Sequence, residues 1–171
     1  MKKFLSFMAI VAALAMTMSS CSKDEDEGDS QANRLKFTNL MMQNGTSFTW
    51  EGYEQLHRTD GASSGKTYYV VIRFVRNTKD DTQGSGNVLF FSNENKNDLQ
   101  EKSAINWWFG NDMLHISLPT LGWDARYAEY RTQELTINGD NFTGRWFEKN
   151  DYYWFFTYKK SSFNEWDKYI N

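Results

Sequence analysis

Residues 132–158, TQELTINGDNFTGRWFEKNDYYWFFTY, contain three strand-like runs separated by two turns, and this stretch decides the fold. Asn138-Gly139 is a pair that readily takes positive φ at both positions, which a two-residue hairpin requires. Asn150-Asp151 marks the second turn because apolar runs flank it on both sides. The stretch therefore predicts an antiparallel meander.

Apolar and polar side chains alternate along this meander, as expected for strands that bury one face. The residues on the apolar face are Phe142, Gly144 and Trp146 before the second turn, and Tyr152, Trp154, Phe156 and Tyr158 after it. A sheet with this much aromatic area on one face has to close over a core.

The preceding part of the chain predicts further strands. Alternation over residues 34–41 predicts an opening strand, and Phe48 and Trp50 predict a second one after a turn. Residues 67–76 are apolar on both faces, which is typical of a strand covered on each side. Residues 57–65 are polar and glycine-rich and predict a loop.

The remaining segments complete an all-β architecture. A short strand is predicted over residues 88–91 and a hairpin over 105–118, and residues 162–170 predict a short C-terminal helix. Phe163, Trp166 and Ile170 would dock this helix on the sheet. Eight or nine short strands without a long helix between them predict an antiparallel up-and-down barrel of about eight strands, since closure removes exposed strand edges.

The first residues have the pattern of a secretory signal. Two lysines precede an apolar run over residues 4–18, and Ser19-Ser20-Cys21 follows. This end resembles a bacterial lipobox, which implies that residues 1–20 are removed and that Cys21 carries acyl chains such as palmitate. The alternative is an ordinary signal in which the cysteine is incidental. Several acyl chains would hold the protein firmly on a membrane.

Residues 21–33 are predicted to be an acidic tether, and residues 34–171 the barrel domain. Five acids occupy the six positions 24–29, and the tether has too little apolar surface to fold alone. Cys21-Ser22-Lys23 followed by acids resembles the export signal of surface lipoproteins of Bacteroidetes. The resemblance implies a lipid-anchored protein of the outer membrane, exported to the cell surface; the alternative is a plain solvated spacer.

Charge and residue types exclude several classes of function. Removing residues 1–20 leaves 17 Lys and Arg against 22 Asp and Glu, a net charge of −5, and no basic cluster predicts nucleic-acid binding. Two histidines and one cysteine predict no catalytic centre, no metal site and no cofactor. The carboxylates Asp80, Asp81, Glu129 and Glu134 are interpreted as solvated loop acids rather than a glycosidase pair.

The hydrophobic pattern resembles the lipocalin-like domains of Bacteroidetes lipoproteins over residues 35–160. The resemblance is carried by residues 86–91, by Ile105-Asn106-Trp107-Trp108 with 110–116, by 134–137 and by 152–158. It implies a barrel that holds a small ligand.

Aromatic side chains are the candidate ligand-binding residues. The candidates are Trp107, Trp108, Trp146, Tyr152 and Trp154. The neighbours Trp107 and Trp108 must point to opposite faces of their strand. The leading hypothesis is a non-catalytic protein that binds a small apolar or amphipathic ligand in the barrel. The alternative is a surface module that binds glycan or protein through exposed aromatic residues. The sequence leaves the ligand and the oligomeric state open.

We expect Cys21→Ala to release the protein from membranes without changing its fold, because the tether contributes nothing to the core. Fractionation of expressing cells measures this, with Ser22→Ala as the control that stays membrane-bound. A Cys21→Ala protein that remained in the membrane fraction would mean that residues 4–18 form an uncleaved anchor.

Overall fold

The computed structural model describes residues 30–58, 60, 62–119, 129–147 and 152–170. They form two helices and eight strands: α1 (Gln31–Met41), β1 (Ser47–Arg58), β2 (Ser63–Val75), β3 (Gln83–Phe91), β4 (Leu99–Gly110), β5 (Met113–Ser117), β6 (Glu129–Asn138), β7 (Asn141–Phe147), β8 (Tyr152–Lys160) and α2 (Trp166–Ile170).

The eight strands form a closed antiparallel barrel in chain order. β8 returns to pair with β1, from Trp50 opposite Lys160 to Arg58 opposite Tyr152. This pairing gives both terminal strands, β1 and β8, a hydrogen-bonded neighbour on each side, which removes the edge that each would otherwise expose. The predicted all-β up-and-down barrel with a short C-terminal helix is confirmed.

The predicted opening strand over residues 34–41 is wrong, because this segment forms the helix α1. Ser30 caps the helix by accepting a hydrogen bond from the backbone N–H of Asn33. Phe37 and Met41 were assigned to one face of a strand, but they are also four residues apart and so share one face of a helix. The helix also includes residues 31–33 of the predicted tether.

Helix α1 closes the end of the barrel where β1 begins and β4 ends. Met41 and Met42 are fully buried there, and Phe37 stacks on Phe109 with 6.2 Å between ring centroids. The indole N–H of Trp50 donates a hydrogen bond of 3.0 Å to the carbonyl of Met41. The helix is therefore held by apolar burial and by a buried hydrogen bond.

The buried guanidinium of Arg76 connects the turn after α1 to the loop that follows β2. Its Nε donates to the carbonyl of Gly45 at 2.9 Å and its Nη2 to Oδ1 of Asn39 at 2.8 Å. Its Nη1 lies 3.3 Å from the carbonyl of Asp81. Three acceptors thus compensate for the desolvation of this charge.

A second apolar cluster lies outside the barrel, where α2 packs on β2 and β3. Its buried members are Tyr69, Val71, Leu89, Phe91 and Trp166. The prediction that β2 is covered on both faces is therefore confirmed. Phe163 and Trp166 dock as expected, but Ile170 is 37% exposed and Tyr169 contacts Phe91 in its place.

The predicted loop over residues 57–65 is shorter than expected, because β1 continues to Arg58 and β2 begins at Ser63. Along β1, Gly52 is where β8 approaches most closely: a Cβ atom at Gly52 would lie 2.0 Å from the backbone oxygen of Thr157. Only glycine fits at this point of the closing strand pair.

We expect Gly52→Ala to lower the free energy of unfolding by at least about 1 kcal/mol, because the added methyl group forces backbone apart. Urea denaturation measures the change. Gly110→Ala is the control, since its Cβ would meet nothing closer than 3.7 Å. Equal losses in the two variants would contradict the assigned role of Gly52.

Candidate ligand-binding site

Five inward-facing residues lie at the end of the barrel away from α1. This set, called here the far interior, consists of Glu54 and Leu56 on β1, Tyr68 on β2, Phe90 on β3 and Trp154 on β8. Strand register places Glu54 opposite Tyr68 and Leu56 opposite Trp154. The Tyr68 ring lies 5.6 Å from the Phe90 ring and 5.7 Å from the Trp154 ring, centroid to centroid.

The two ends of the barrel differ in how completely their inward side chains are buried. Near α1, the inward side chains of Trp50, Phe74 and Phe142 are fully buried. In the far interior, the four side chains other than Glu54 keep part of their surface exposed although they face inward. Solvent therefore reaches the far interior, and an apolar ligand placed there would bury aromatic surface.

Glu54 forms the floor of the far interior and is only 7% exposed. The hydroxyl of Tyr158 donates a hydrogen bond to Oε1 of Glu54. The indole N–H of Trp146 lies 3.4 Å from the Tyr158 oxygen and donates to it. Side chains from β1, β7 and β8 thus form one buried polar chain among aromatic rings.

Burial raises the pKa of Glu54 to about 7, and the hydrogen bonds from Tyr158 and Trp146 act in the opposite direction. The pKa of Tyr158 is raised well above its ordinary value, first by burial and then by the charge of Glu54. No Lys, Arg or His in the described part of the chain forms an ion pair with Glu54. Near neutral pH this carboxyl group can therefore donate or accept a hydrogen bond.

The ammonium group of Lys66 lies at the rim of the far interior. The ammonium nitrogen of Lys66 lies 5.0 Å from the centroid of the Tyr68 ring and 5.8 Å from that of Trp154. Both distances are typical of cation–π contacts. The site therefore has a positive charge at its entrance and an ionisable carboxyl group at its floor.

The structure brings two of the predicted ligand residues together and separates the others. Trp146 pairs with Trp154 across β7 and β8, with Trp146 buried and Trp154 half-buried. Tyr152 begins β8 and is 39% exposed. Trp154 alone of these three belongs to the far interior, and Trp146 supports its floor.

Trp107 and Trp108 do point to opposite faces, as predicted. Trp107 is buried near α1, and its indole N–H lies 3.2 Å from the Val75 carbonyl and 2.9 Å from the Ser85 carbonyl. Trp108 lies on the outer surface, where its ring stacks on His115 at 4.9 Å. Neither ring reaches the far interior.

Glu54 was not predicted as a site residue, because the strand indicated by Phe48 and Trp50 was not extended as far as position 54. A signal was present, since Trp50, Gly52 and Glu54 occupy alternate positions and the first two face inward. A polar residue on an apolar face is a candidate for a functional role. The missing information was the length of β1, which is set by its pairing with β8.

Two of the other acids discussed above, Asp81 in a loop and Glu134 within β6, have local partners. Oδ2 of Asp81 accepts a hydrogen bond from the backbone N–H of Thr78 at 2.8 Å, and Glu134 pairs with Arg145 at 3.0 Å. The side chain of Glu129 is outside the described residues. Within the part that the structure describes, no three or more His, Cys, Asp or Glu side chains converge as a metal site would require.

Comparisons with protein-family models, curated proteins and solved structures find no match to this chain. The resemblance to lipocalin-like lipoproteins therefore stays a prediction. Cys21 and the acidic tether residues before position 30 are outside the described residues. Neither helix of the described ranges is long and apolar enough to cross a membrane.

We expect the free energy of unfolding to fall as pH rises from about 4.5 to about 7, because the folded state holds the Glu54 proton over this window and the unfolded state releases it. The loss is on the order of 1 to 3 kcal/mol, since one pKa unit corresponds to about 1.4 kcal/mol. Urea denaturation at several pH values measures it.

Glu54→Gln should remove this component of the pH dependence, whereas Glu101→Gln, a change at an exposed position, should leave it in place. If the free energy of unfolding of the Glu54→Gln variant fell with pH as steeply as that of the wild type, the assignment of this pH dependence to Glu54 would be wrong.

Proposed function

We propose that this protein is a lipid-anchored, non-catalytic binding protein that holds a small amphipathic ligand in the far interior of its barrel. The supporting observation is the contrast between the two barrel ends. Inward side chains near α1 are fully buried, whereas Leu56, Tyr68, Phe90 and Trp154 keep exposed surface. Ligand pockets typically combine such aromatic walls with a few polar groups.

The apolar part of the ligand would contact the rings of Tyr68, Phe90 and Trp154. Apolar burial contributes about 25 cal/mol per Å², so a ligand that covers these rings gains affinity without a charge of its own. The polar part would reach Glu54, whose carboxyl group is a hydrogen-bonding partner on an otherwise apolar floor. This combination favours an amphipathic ligand over a pure hydrocarbon. A hydrocarbon would displace water from Glu54 without offering the carboxyl group a hydrogen bond.

The anchor in this proposal is the lipid on Cys21, with the acidic residues after it as a tether. A tether of this length lets the barrel move away from the lipid surface. The outer membrane and the cell surface are the proposed locations, on the basis of the lipobox and the acids that follow it. A lipocalin-like family origin is part of the same proposal.

The second candidate is a surface module that binds glycan or protein. Tyr53 is 46% exposed and Phe155 is 43% exposed, and both face outward on the paired strands β1 and β8. Exposed aromatic side chains on a flat sheet are a feature of interaction surfaces. This candidate predicts a dependence on outward residues instead of inward ones.

Substitutions of the neighbours Trp154 and Phe155 distinguish the two candidate functions, because the two side chains lie on one strand and face opposite sides of the sheet. We expect the neutral fluorescent probe N-phenyl-1-naphthylamine to bind saturably to the purified domain. Trp154→Ala should weaken this binding about tenfold, because lost ring contacts are worth roughly 1 to 1.5 kcal/mol.

Phe155→Ser is the matched control and should leave the affinity for the probe unchanged. Circular dichroism of both variants verifies that the barrel is intact. Failure of the probe to bind, or an effect of Phe155→Ser equal to that of Trp154→Ala, would contradict an interior site and favour the outer surface.

A further inference from the structure

A groove of about 330 Å³ lies on the outside of the barrel, where β3 and β4 meet the loop after β2. The residues that line it include Asn77, Asp81, Gln83 and Asn106 and both tryptophans of β4, Trp107 and Trp108. The groove shares no residue with the far interior, and its lining residue Trp107 lies at the opposite end of the barrel, near α1. Its volume falls at the lower end of the range for small-molecule sites.

Trp108 forms an aromatic wall of this groove. Strand register places it between Gln83 of β3 and His115 of β5 on the outer face of the sheet. Its ring stacks nearly parallel on the His115 ring, with an interplanar angle of 7°. His115 thus covers one face of the indole, and Trp108 is among the residues that line the groove.

Three side-chain amides line the groove without protein partners. In the described part of the chain, the side chains of Asn77, Gln83 and Asn106 make no hydrogen bond to another protein group. By contrast, Asn39 and Asn87 use their side-chain oxygens to accept hydrogen bonds from arginines. Each free amide offers two donor hydrogens and an acceptor oxygen to a ligand.

The charge of the lining selects against anions. Asp81 is the one charged side chain among the residues that line the groove, and no Lys or Arg lines it. The nearby Arg76 uses its nitrogen atoms on three protein oxygens inside the fold. A phosphate, sulfate or carboxylate group would find a negative neighbour and no cation.

We propose that this groove binds one neutral sugar ring. The apolar face of the sugar would stack on the Trp108 indole, and its hydroxyl groups would exchange hydrogen bonds with the amides of Asn77, Gln83 and Asn106. A sugar has this combination of an apolar ring face and a rim of hydroxyls, each of which both donates and accepts. The inference is independent of any ligand inside the barrel.

The test is an NMR titration of the 15N-labelled domain with the methyl glycosides of glucose, galactose and mannose. We expect at least one of them to shift the indole N–H signal of Trp108 saturably, with a Kd of about 1 mM, as is common for a single small polar ligand. Loss of that signal in Trp108→Phe assigns it.

Trp108→Ala should weaken binding at least tenfold, and Gln83→Ala should weaken it several-fold, both followed through the backbone amide signals around the groove. Gln83 is exposed, so its variant tests the groove even if Trp108→Ala does not fold. Thr157→Ala, at an exposed position of β8 on the opposite side of the barrel, is the control that keeps wild-type affinity.

Two results would overturn the proposal. One is the absence of saturable shifts for all three glycosides, or shifts of equal size in the Gln83→Ala variant. The other is tighter binding of glucuronate or glucose 6-phosphate than of the neutral glycosides, which would show that the groove prefers anions. These results do not depend on whether N-phenyl-1-naphthylamine binds inside the barrel, because the two sites share no residue.

Discussion

The backbone pairing of β1 with β8 closes the barrel. The burial of the side chains that face its interior depends on this pairing. Closure requires the two strands to approach at Gly52, where no Cβ atom would fit beside the backbone of Thr157. Once the sheet is closed, alternate residues of each strand face a common interior. Large aromatic residues such as Trp50 and Phe142 then have to fill that interior, and they do so at the end covered by α1.

Closure of the barrel also explains why the carboxyl group of Glu54 lies among aromatic rings. The alternation that places Trp50 and Gly52 inside the barrel places Glu54 there as well, and burial disfavours its ionised form. The hydrogen bond from Tyr158 compensates in part, and Trp146 extends the polar chain. A buried carboxyl group costs stability near neutral pH, and this cost is consistent with a role in ligand binding rather than in folding.

The outer surface of the barrel is divided in a different way. Helix α2 covers β2 and β3 at one end, with Trp166 packed among apolar residues and beside the guanidinium of Arg73 at 4.7 Å. Near the other end of β3, the groove beside Trp108 is lined by residues whose side-chain amides make no hydrogen bond within the described ranges. One part of the outer surface is therefore covered by α2, while the part around Trp108 is lined by polar residues.

The sequence by itself determined the class of fold, because turns such as Asn138-Gly139 and the alternation around Trp154 are local signals with a period of two residues. Local signals were ambiguous in α1, where Phe37 and Met41 fit both a strand and a helix, and packing against the barrel selects the helix. The sequence also required Trp107 and Trp108 to face opposite ways. It could not say which one faces inward, since register with β3 and β5 decides that. The tertiary structure alone brings Glu54 to Tyr158 and places Asn77 and Gln83 beside Trp108, because these contacts join strands and loops that are distant along the chain.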